Sequence, residues 1–501
     1  MSATAAPVAD LRIALNESGA LGATVRQLAS RLSSAPVAVE TRLALLESRG
    51  EVLRIGRGLW ILQSFADLEE RGDFLDPASF LERFAREDGV TLGRYSGPIT
   101  FRSNDRLPVH RWWPYVQGYS AEFVATLLAE AEIGRGTTVL DPFAGSGTTL
   151  VEARRAGARA IGFELLAPAA LAARVKTDLE LDPVALRARS RRMLQHAARG
   201  PPAPLPFLRE TRRQFSSEAL GELRRLRAAL PRASGDRIDE AVRLAFGATL
   251  VPCSRLRRSP CLGYDPNPSG RPRPYDEIER TIAAMADDLQ ALAPERARWG
   301  PRAEVVDRDA RTIALPAESV DLALTSPPYV NGLDYVMNYK LDLAWLGYAD
   351  SYRDLAALRH AEVACDNLPR DATAHYLGTD STPDPWLGDI LRQIRENVRR
   401  KGSYRRNDMH GIVHRYFHDL AQVLRSVHRT LVPGGRFVLV VGDSLLAGTY
   451  VPGDLLLARI GRRIGFEIET VAVARTRRSG QRRRFRLRES IITLRRPGPA
   501  S

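Results

Sequence analysis

The chain has 501 residues, of which 44% are hydrophobic, so it can bury large cores and is expected to form two or three domains. No apolar run is long enough for a membrane span and no secretory signal opens the sequence, so we expect a cytoplasmic protein without a membrane partner. Its formal charge of +14 favours a polyanionic partner such as nucleic acid, although an Arg-rich composition alone can produce the same charge.

Residues 1–64 are predicted to form a winged helix-turn-helix domain. Helical patterns in DLRIALNES, TVRQLASRL and VAVETRLALLESRG precede two short strands around Gly56 and Gly58. The third helix of such a domain commonly enters a major groove, while the wing touches the DNA backbone. Candidate contacts are Arg42, Arg49, Arg54 and Arg57. Domains of this kind also mediate protein contacts, so both uses remain open.

A polar linker is predicted at residues 65–105, followed by the pattern of a doubly wound α/β sheet. Strand TTVLDPF (137–143), helix TTLVEARRAG and strand ARAIGFEL (158–165) form a βαβ-like series. Further strands are predicted at 303–307, 320–326, 435–443, 466–474 and 489–494. Together they give a seven-stranded sheet, within a domain of residues 106–176 and 300–501.

Two long excursions interrupt this sheet. About 140 residues separate the second strand from the third, far more than a crossover helix needs, so residues 177–299 are predicted to be a helical insert. Its segment VPCSRLRRSP includes Arg255, Arg257 and Arg258, which suit guanine edges or phosphates, with a solvated basic loop as the alternative. A second excursion covers residues 351–409, and target recognition is expected in one of these two excursions.

The stretch DPFAGSGTT, from Asp141 to Thr149, lies at a predicted turn between a strand and a helix. Gly145 and Gly147 permit a tight turn and close approach of a ligand to the helix N-terminus. Glu164 closes the next strand, where a carboxylate can accept from two ribose hydroxyls. The sequence has neither the third glycine of a dinucleotide site nor the GK[ST] of a P-loop. The pattern therefore favours a nucleoside cofactor without phosphates.

The motif TSPPY ends the strand predicted at 320–326. Pro328 forces an extended conformation on Pro327, so the Pro327 carbonyl and the Ser326 hydroxyl form a rigid pair of acceptors, and Tyr329 offers a ring face. Together, DPFAGSGTT, Glu164 and TSPPY resemble the class I S-adenosylmethionine-dependent DNA amino-methyltransferases. The resemblance runs from about His110 to Leu494 and implies a Rossmann-like fold.

The resemblance also implies the cofactor, S-adenosyl-L-methionine, and its contacts. The implied cofactor-binding residues are Asp141, Phe143, Gly145, Gly147, Glu164 and Asp309. Asp307 is the alternative to Asp309 as the residue that faces the adenine amino group. A looser match over HRWWPYVQGYS suggests Gly118, Tyr119 and Ser120 near the methionine end. The catalytic segment is followed by Tyr335, Tyr339 and Trp345, which are expected to be packing residues.

The predicted reaction moves a methyl group to the exocyclic amino group of a DNA base rotated out of the duplex. Ser326 and Pro327 accept the amino hydrogens, Pro328 fixes Pro327, and Tyr329 stacks on the base. In the family, Ser at this position is typical of cytosine-N4 enzymes, so N4 of cytosine is preferred over N6 of adenine. An RNA base-amino methyltransferase and a non-enzymatic DNA-binding regulator are the alternatives, and a cognate restriction endonuclease is a candidate partner.

Basic side chains near the C-terminus, cysteines and histidines form three further groups of candidate functional residues. The C-terminal ARTRRSGQRRRFRLRES predicts a hairpin suited to phosphates, with surface charge as the alternative. Three cysteines, without a CxxC pair, indicate neither a disulfide framework nor structural zinc. His410, His414 and His418 have the spacing of one helix face, yet methyl transfer from a sulfonium needs no metal, and no metal site is predicted.

Overall fold

The computed structural model describes most of the chain in fifteen stretches. These are residues 8–18, 23–55, 58–63, 77–97, 99, 101–115, 118–232, 235–258, 261–330, 334–363, 368–377, 379, 381–401, 406–478 and 486–498. Within these stretches, no helix combines the length and the apolar character that crossing a membrane requires.

The N-terminal unit contains three helices and a three-stranded sheet. Its elements are α1 (Val8–Ser18), β1 (Ala23–Thr24), α2 (Val25–Arg31), α3 (Pro36–Ser48), β2 (Val52–Ile55) and β3 (Leu59–Leu62). Thr24 starts α2 with a reciprocal capping box, because its side chain accepts from Gln27 N while the Gln27 side chain accepts from Thr24 N. Leu15, Leu28 and Trp60 lie in a small core of this unit. The strands pair antiparallel in the order β1-β3-β2.

An eight-stranded, mainly parallel sheet forms the centre of the rest of the molecule. The strands of this part of the chain, including two separate hairpins, are β4 (Gly93–Arg94), β5 (Thr138–Asp141), β6 (Arg159–Phe163), β7 (Leu256–Arg258), β8 (Leu262–Tyr264), β9 (Glu304–Val306), β10 (Val320–Thr325), β11 (Leu431–Gly442), β12 (Ser444–Leu446), β13 (Thr449–Val451), β14 (Glu467–Arg478) and β15 (Arg486–Arg495). The sheet order is β4-β14-β15-β11-β10-β5-β6-β9, while β7-β8 and β12-β13 are separate hairpins. Every predicted strand is present, and β4 makes the predicted count of seven one too low.

Helices cover the sheet and build the excursions. They are α4 (Pro77–Asp88), α5 (Ala121–Glu130), α6 (Thr148–Arg155), α7 (Ala167–Lys176), α8 (Pro183–Arg199), α9 (Thr211–Gln214), α10 (Ser217–Ala229), α11 (Arg237–Leu250), α12 (Pro274–Leu292), α13 (Tyr335–Asn338), α14 (Lys340–Trp345), α15 (Tyr352–Ala361), α16 (Ala374–Leu377), α17 (Pro385–Lys401), α18 (Met409–Thr430) and α19 (Gly453–Ile464). The insert at 177–299 is helical, as predicted, and contains the β7-β8 hairpin.

The segment predicted as a polar linker, 65–105, contributes packed elements. Helix α4 buries Phe80 and Phe84, which lie on one face and join the largest core. Strand β4 then pairs parallel with β14 at the sheet edge. The linker prediction missed these elements because the segment is polar in composition. Only one stripe of α4 is apolar, and β4 has two residues.

Five neighbouring strands determine where a site can form. β9, β6, β5, β10 and β11 run parallel to one another. The loops that follow β5, β6 and β10 therefore leave the sheet at the same edge, where ligands bind in open α/β sheets. DPFAGSGTT, Glu164 and TSPPY stand at these three strand ends.

Candidate active site

A cavity lies at this edge of the sheet, with about 860 Å³ of empty space that includes its opening to solvent. Its lining includes nine of the residues predicted from the sequence: Gly118, Tyr119, Asp141, Phe143, Gly145, Glu164, Asp309, Ser326 and Pro328. The glycine turn and the catalytic motif thus share one cavity. The lining residues in the described part of the chain do not include Gly147, Pro327 or Tyr329.

The two glycines of the turn are required for different reasons. Both have a positive φ, +53° at Gly145 and +87° at Gly147. A Cβ on Gly145 would lie 2.9 Å from the Tyr115 ring, and one on Gly147 would lie 2.9 Å from Ala173 Cα. Gly145 therefore lets the backbone of the turn pack closely against the Tyr115 ring in the cavity wall. Gly147 lets α6 start close to α7.

The Glu164 carboxylate, just after the C-terminal end of β6, accepts two hydrogen bonds from backbone amides. Its Oε2 accepts from Gly145 N at 2.8 Å and its Oε1 accepts from Leu166 N at 2.8 Å. Burial raises the pKa of Glu164 to about 7, against these two hydrogen bonds, which lower it. Each carboxylate oxygen has a second lone pair, so the group can still accept from a ligand.

Asp141 connects the ends of β5 and β10. Its Oδ1 accepts from Thr325 Oγ1 at 2.6 Å and from Phe143 N at 3.0 Å. Its Oδ2 accepts from Thr149 Oγ1 at 2.5 Å and from the Tyr119 hydroxyl at 3.0 Å. Burial raises the pKa of Asp141, and all four contacts oppose that rise. Asp141 therefore fixes the glycine turn relative to the residue that precedes Ser326.

Asp309 and Asp307 occupy different places. Asp309 lines the cavity and receives a fork of hydrogen bonds from Arg311, whose Nε lies 3.0 and 2.9 Å from its two oxygens. Asp307 is exposed and pairs with Arg174 at 2.6 Å. Of the two candidates for the adenine contact, only Asp309 is a lining residue in the described part of the chain.

The SPPY residues are fixed by two neighbouring strands. Pro327 is buried beside the lining residues Ser326 and Pro328. The Tyr329 hydroxyl donates to Glu489 Oε1 of β15 at 2.8 Å. A Cβ on Gly442, at the end of β11, would approach the Tyr329 ring to 2.9 Å. Burial and the nearby Glu489 charge raise the pKa of Tyr329 well above its usual value. The ring is thus held at its hydroxyl and packed against backbone.

Several lining residues were not predicted from the sequence. Tyr335, expected to be a packing residue, lines the cavity together with Tyr115 and Glu362. Tyr115 stacks on the buried Tyr339 with ring centroids 5.5 Å apart. Burial and the charge of Asp334 raise the pKa of Glu362 well above its usual value. The aromatic density of HRWWPYVQGYS was a signal for Tyr115, whereas no local pattern marks Glu362.

The arginines of the β7-β8 hairpin differ in exposure. Arg255 and Arg257 are exposed. Arg258 forms an ion pair with Asp342, which is fully buried, and its guanidinium lies 4.3 Å from the centre of the Tyr339 ring. Arg258 therefore joins the insert to α14 and to the Tyr339 ring, on which the lining residue Tyr115 stacks, rather than facing solvent.

Two of the three histidines in the series on α18, His414 and His418, form hydrogen bonds. His414 Nε2 lies 2.9 Å from the Ser381 carbonyl, and His418 Nδ1 lies 3.1 Å from the Tyr376 hydroxyl. Among the described residues, no group of three His, Cys, Asp or Glu side chains could hold a metal ion. Cys253 is buried, which raises the pKa of its thiol to about 12, and Cys261 is exposed. Cys365 lies outside the described residues.

Residues 120–172, which include the glycine turn and Glu164, match the family model described as DNA methylase. This segment of the chain is similar to DNA methylases. This match and the relatives below confirm the resemblance to the DNA amino-methyltransferases.

Two curated relatives extend the similarity over most of the chain. The Type II methyltransferase M.BsoBI of Geobacillus stearothermophilus is 23% identical over 450 residues, covering 80% of this chain and 88% of that protein. The Type II methyltransferase M.AvaI of a Nostoc strain is 24% identical over 433 residues, covering 80% and 89%. Among solved structures, a geranyl diphosphate methyltransferase is 10% identical, covers 85% of this chain and 97% of its own, and has a TM-score of 0.27.

Proposed function

We propose that the protein is a DNA methyltransferase that transfers a methyl group from S-adenosyl-L-methionine to the exocyclic amino group of a flipped base, with N4 of cytosine preferred. The observation that carries this proposal is the shared cavity. Gly145 and Glu164 line it together with Ser326 and Pro328, so a cofactor and a base amino group would meet in one space.

The donor set of the cavity fits the proposed cofactor. When bound, S-adenosyl-L-methionine supplies an electrophilic methyl group on a positively charged sulfur. Glu164 would accept from the ribose hydroxyls, and Asp309 would face the adenine amino group. Phe143 and Gly145 would contact the adenosine and the methionine portion. The lining has four carboxyl side chains and one guanidinium, so its ionised carboxylates would suit a cation.

The catalytic proposal rests on two acceptors at the end of β10. An exocyclic amino nitrogen is a weak nucleophile, because its lone pair is delocalised into the ring. Ser326 Oγ and the Pro327 carbonyl would accept the two amino hydrogens and turn the lone pair towards the methyl group. Pro328 holds Pro327 extended, and Tyr329 would stack on the base. Asp141 has a positioning role, since its hydrogen bonds are directed within the protein.

Serine at residue 326 supports cytosine over adenine only through the family regularity, so N6 of adenine remains the alternative target. The relatives M.BsoBI and M.AvaI are Type II methyltransferases, which supports a setting in restriction-modification with a cognate endonuclease as partner. Residues 106–176 and 300–501 would form the catalytic domain, and residues 177–299 would include the target-recognition region.

The N-terminal unit, which we propose to be a winged helix domain at residues 1–64, suits protein contact better than groove contact. Its third helix exposes Val37 and Leu45, at 74% and 43% of their surface, together with Glu40 and Glu47. Apolar and acidic side chains on that face would meet DNA phosphates unfavourably. This observation favours the protein-contact alternative for α3.

Nucleoside mass spectrometry tests the proposed function. The protein is expressed in a host without DNA methylation, and both DNA and RNA from that host are digested and analysed. We expect N4-methylcytosine in DNA, and N6-methyladenine would select the alternative target. Product in RNA alone would support an RNA enzyme, whereas no product together with no cofactor binding would support the regulator. Methylation at the cytosine ring carbon would contradict the amino-group assignment.

A further inference from the structure

The end of helix α15 forms part of the cavity wall. Ala361, the last residue of the helix, and the next two residues, Glu362 and Val363, all line the cavity. The last carbonyls of an α-helix have no partner within the helix and must be satisfied from elsewhere. At this helix end, two arginines from distant parts of the chain supply the donors.

Arg311 and Arg415 hold three successive carbonyls. Arg415 Nη2 donates to the carbonyls of His360 at 2.7 Å and Glu362 at 3.2 Å. Arg311 Nη2 donates to the Ala361 carbonyl between them at 2.7 Å. Arg311 follows β9 and Arg415 lies on α18, so the wall is tied to two separate elements of the catalytic body.

Asp419 joins the two arginines into one cluster. Its Oδ2 accepts from Arg311 Nη1 at 2.8 Å and from Arg415 Nε at 3.3 Å. Asp419 and Arg415 are 2% and 6% exposed, so their ion pair is shielded from water and from salt screening, whereas the Arg311 side chain is 18% exposed. A buried pair of this kind is costly to break from one side, because the remaining charge loses its partner.

The same cluster reaches a residue of the proposed adenine site. Arg311 also forms the fork to Asp309, a lining residue. One guanidinium thus fixes Asp309 and the Ala361 carbonyl relative to each other. Arginine suits this task because its planar fork offers five donors in fixed directions, whereas lysine offers a point charge.

We propose that Arg311 and Arg415, bridged by Asp419, are positioning residues for cofactor binding, which hold residues 360–362 and Asp309 as the two sides of the adenosine end of the cavity. This inference rests on the proposed function and adds to it. It assigns the helical start of the second excursion to the cofactor, not to target recognition.

The test measures cofactor affinity in three conservative variants of the full chain. Arg415→Lys and Arg311→Lys keep the charge and remove the fork, and Asp419→Asn removes the bridging charge. The probe is S-adenosyl-L-methionine, titrated by calorimetry, with methyl transfer to DNA measured at saturating cofactor. We expect the Kd to rise about tenfold or more in each variant, since each loses hydrogen bonds to charged groups. The kcat at saturation should change far less.

Arg406→Lys is the matched control. Arg406 lies in the same excursion and makes a similar fork to Asp408, with Nε and Nη2 at 2.8 and 2.6 Å from its oxygens, and it also donates to the Leu368 carbonyl. Its cofactor affinity should equal that of the wild type. Should one lysine variant fail to fold, Asp419→Asn and the other lysine variant decide the matter.

The outcomes separate this inference from the proposed function. Failure of the wild-type protein to bind S-adenosyl-L-methionine would overturn both. Wild-type binding, with folded variants that bind equally well, would overturn the positioning role alone. Variants with lower thermal stability but an unchanged Kd for S-adenosyl-L-methionine would show that the cluster only stabilises the end of α15. That result would also contradict the inference.

Discussion

Single residues at the site act in two distinct ways. Ser326, Glu164 and Asp309 line the cavity, where their oxygens would contact ligands. Asp141 directs its oxygens to hydroxyl and amide groups within the protein and fixes the distance between strand ends. The sequence motifs predict both the ligand-facing residues and the positioning residue Asp141 as site residues. A motif gives the position of a residue in the chain but not the direction of its side chain.

Replacing Ser326 by alanine tests the acceptor pair at residue scale. The variant keeps the cavity and the backbone, so we expect cofactor affinity to be unchanged. Loss of one preorganised acceptor should lower kcat by about 10²–10³. Ser319→Ala, which removes a hydroxyl bonded to the Pro316 carbonyl near the opposite end of β10, should leave kcat unchanged. Full activity in Ser326→Ala would remove the serine from the mechanism.

The protonation of Glu164 should make cofactor binding depend on pH. The folded carboxyl has a pKa of about 7, against an ordinary value of 4.5. Between these values the folded state binds more protons than the unfolded state, so the contribution of Glu164 to stability falls as the pH rises through this window. The charged form accepts best from ribose hydroxyls, so affinity should rise from about pH 6 to pH 8.

Calorimetric titration of S-adenosyl-L-methionine across this pH range measures the effect. Glu164→Gln, which cannot ionise, should bind more weakly at every pH and lose the part of the pH dependence that belongs to residue 164. An identical pH profile in both proteins would assign the dependence to another group, such as Glu362, whose pKa is also raised by burial.

Whole elements were predicted better than their contacts. Each of the seven predicted strands is present. The central parallel strands, such as β5 and β10, appear in sequence as continuous apolar runs because both of their faces are buried. Strand β4 was not predicted, since its two residues gain their place only by pairing with β14. The wall formed by α15 was also missed, because the residues that hold it lie about 50 residues away in the chain, as in the bond from Arg311 to Ala361.

The β7-β8 hairpin offers an element-scale test in two adjacent arginines. Arg258→Ala leaves the fully buried Asp342 without its ion-pair partner. We expect the free energy of unfolding to fall by about 3 kcal/mol. Arg257→Ala, at an exposed position, should leave stability unchanged. Chemical denaturation measures both. Equal stability of the two variants would show that the hairpin does not depend on Arg258 for docking.

At the scale of the whole molecule, the net charge of +14 predicts strongly salt-dependent binding to duplex DNA. A protein that makes six or more phosphate contacts loses about 10³ or more in affinity between 50 and 200 mM salt. Fluorescence anisotropy with a labelled duplex measures this dependence. A flat response would mean that the arginines serve internal ion pairs, as Arg258 does with Asp342.

The proposed methyl transfer requires one cavity to hold the cofactor beside the SPPY motif. A crystal structure with S-adenosyl-L-homocysteine, the demethylated product of the cofactor, tests this most directly. We predict the adenosine between Glu164 and Asp309, with the sulfur facing Ser326 and Pro328. A ligand bound outside this cavity, or one whose sulfur points away from Ser326, would contradict the proposed chemistry.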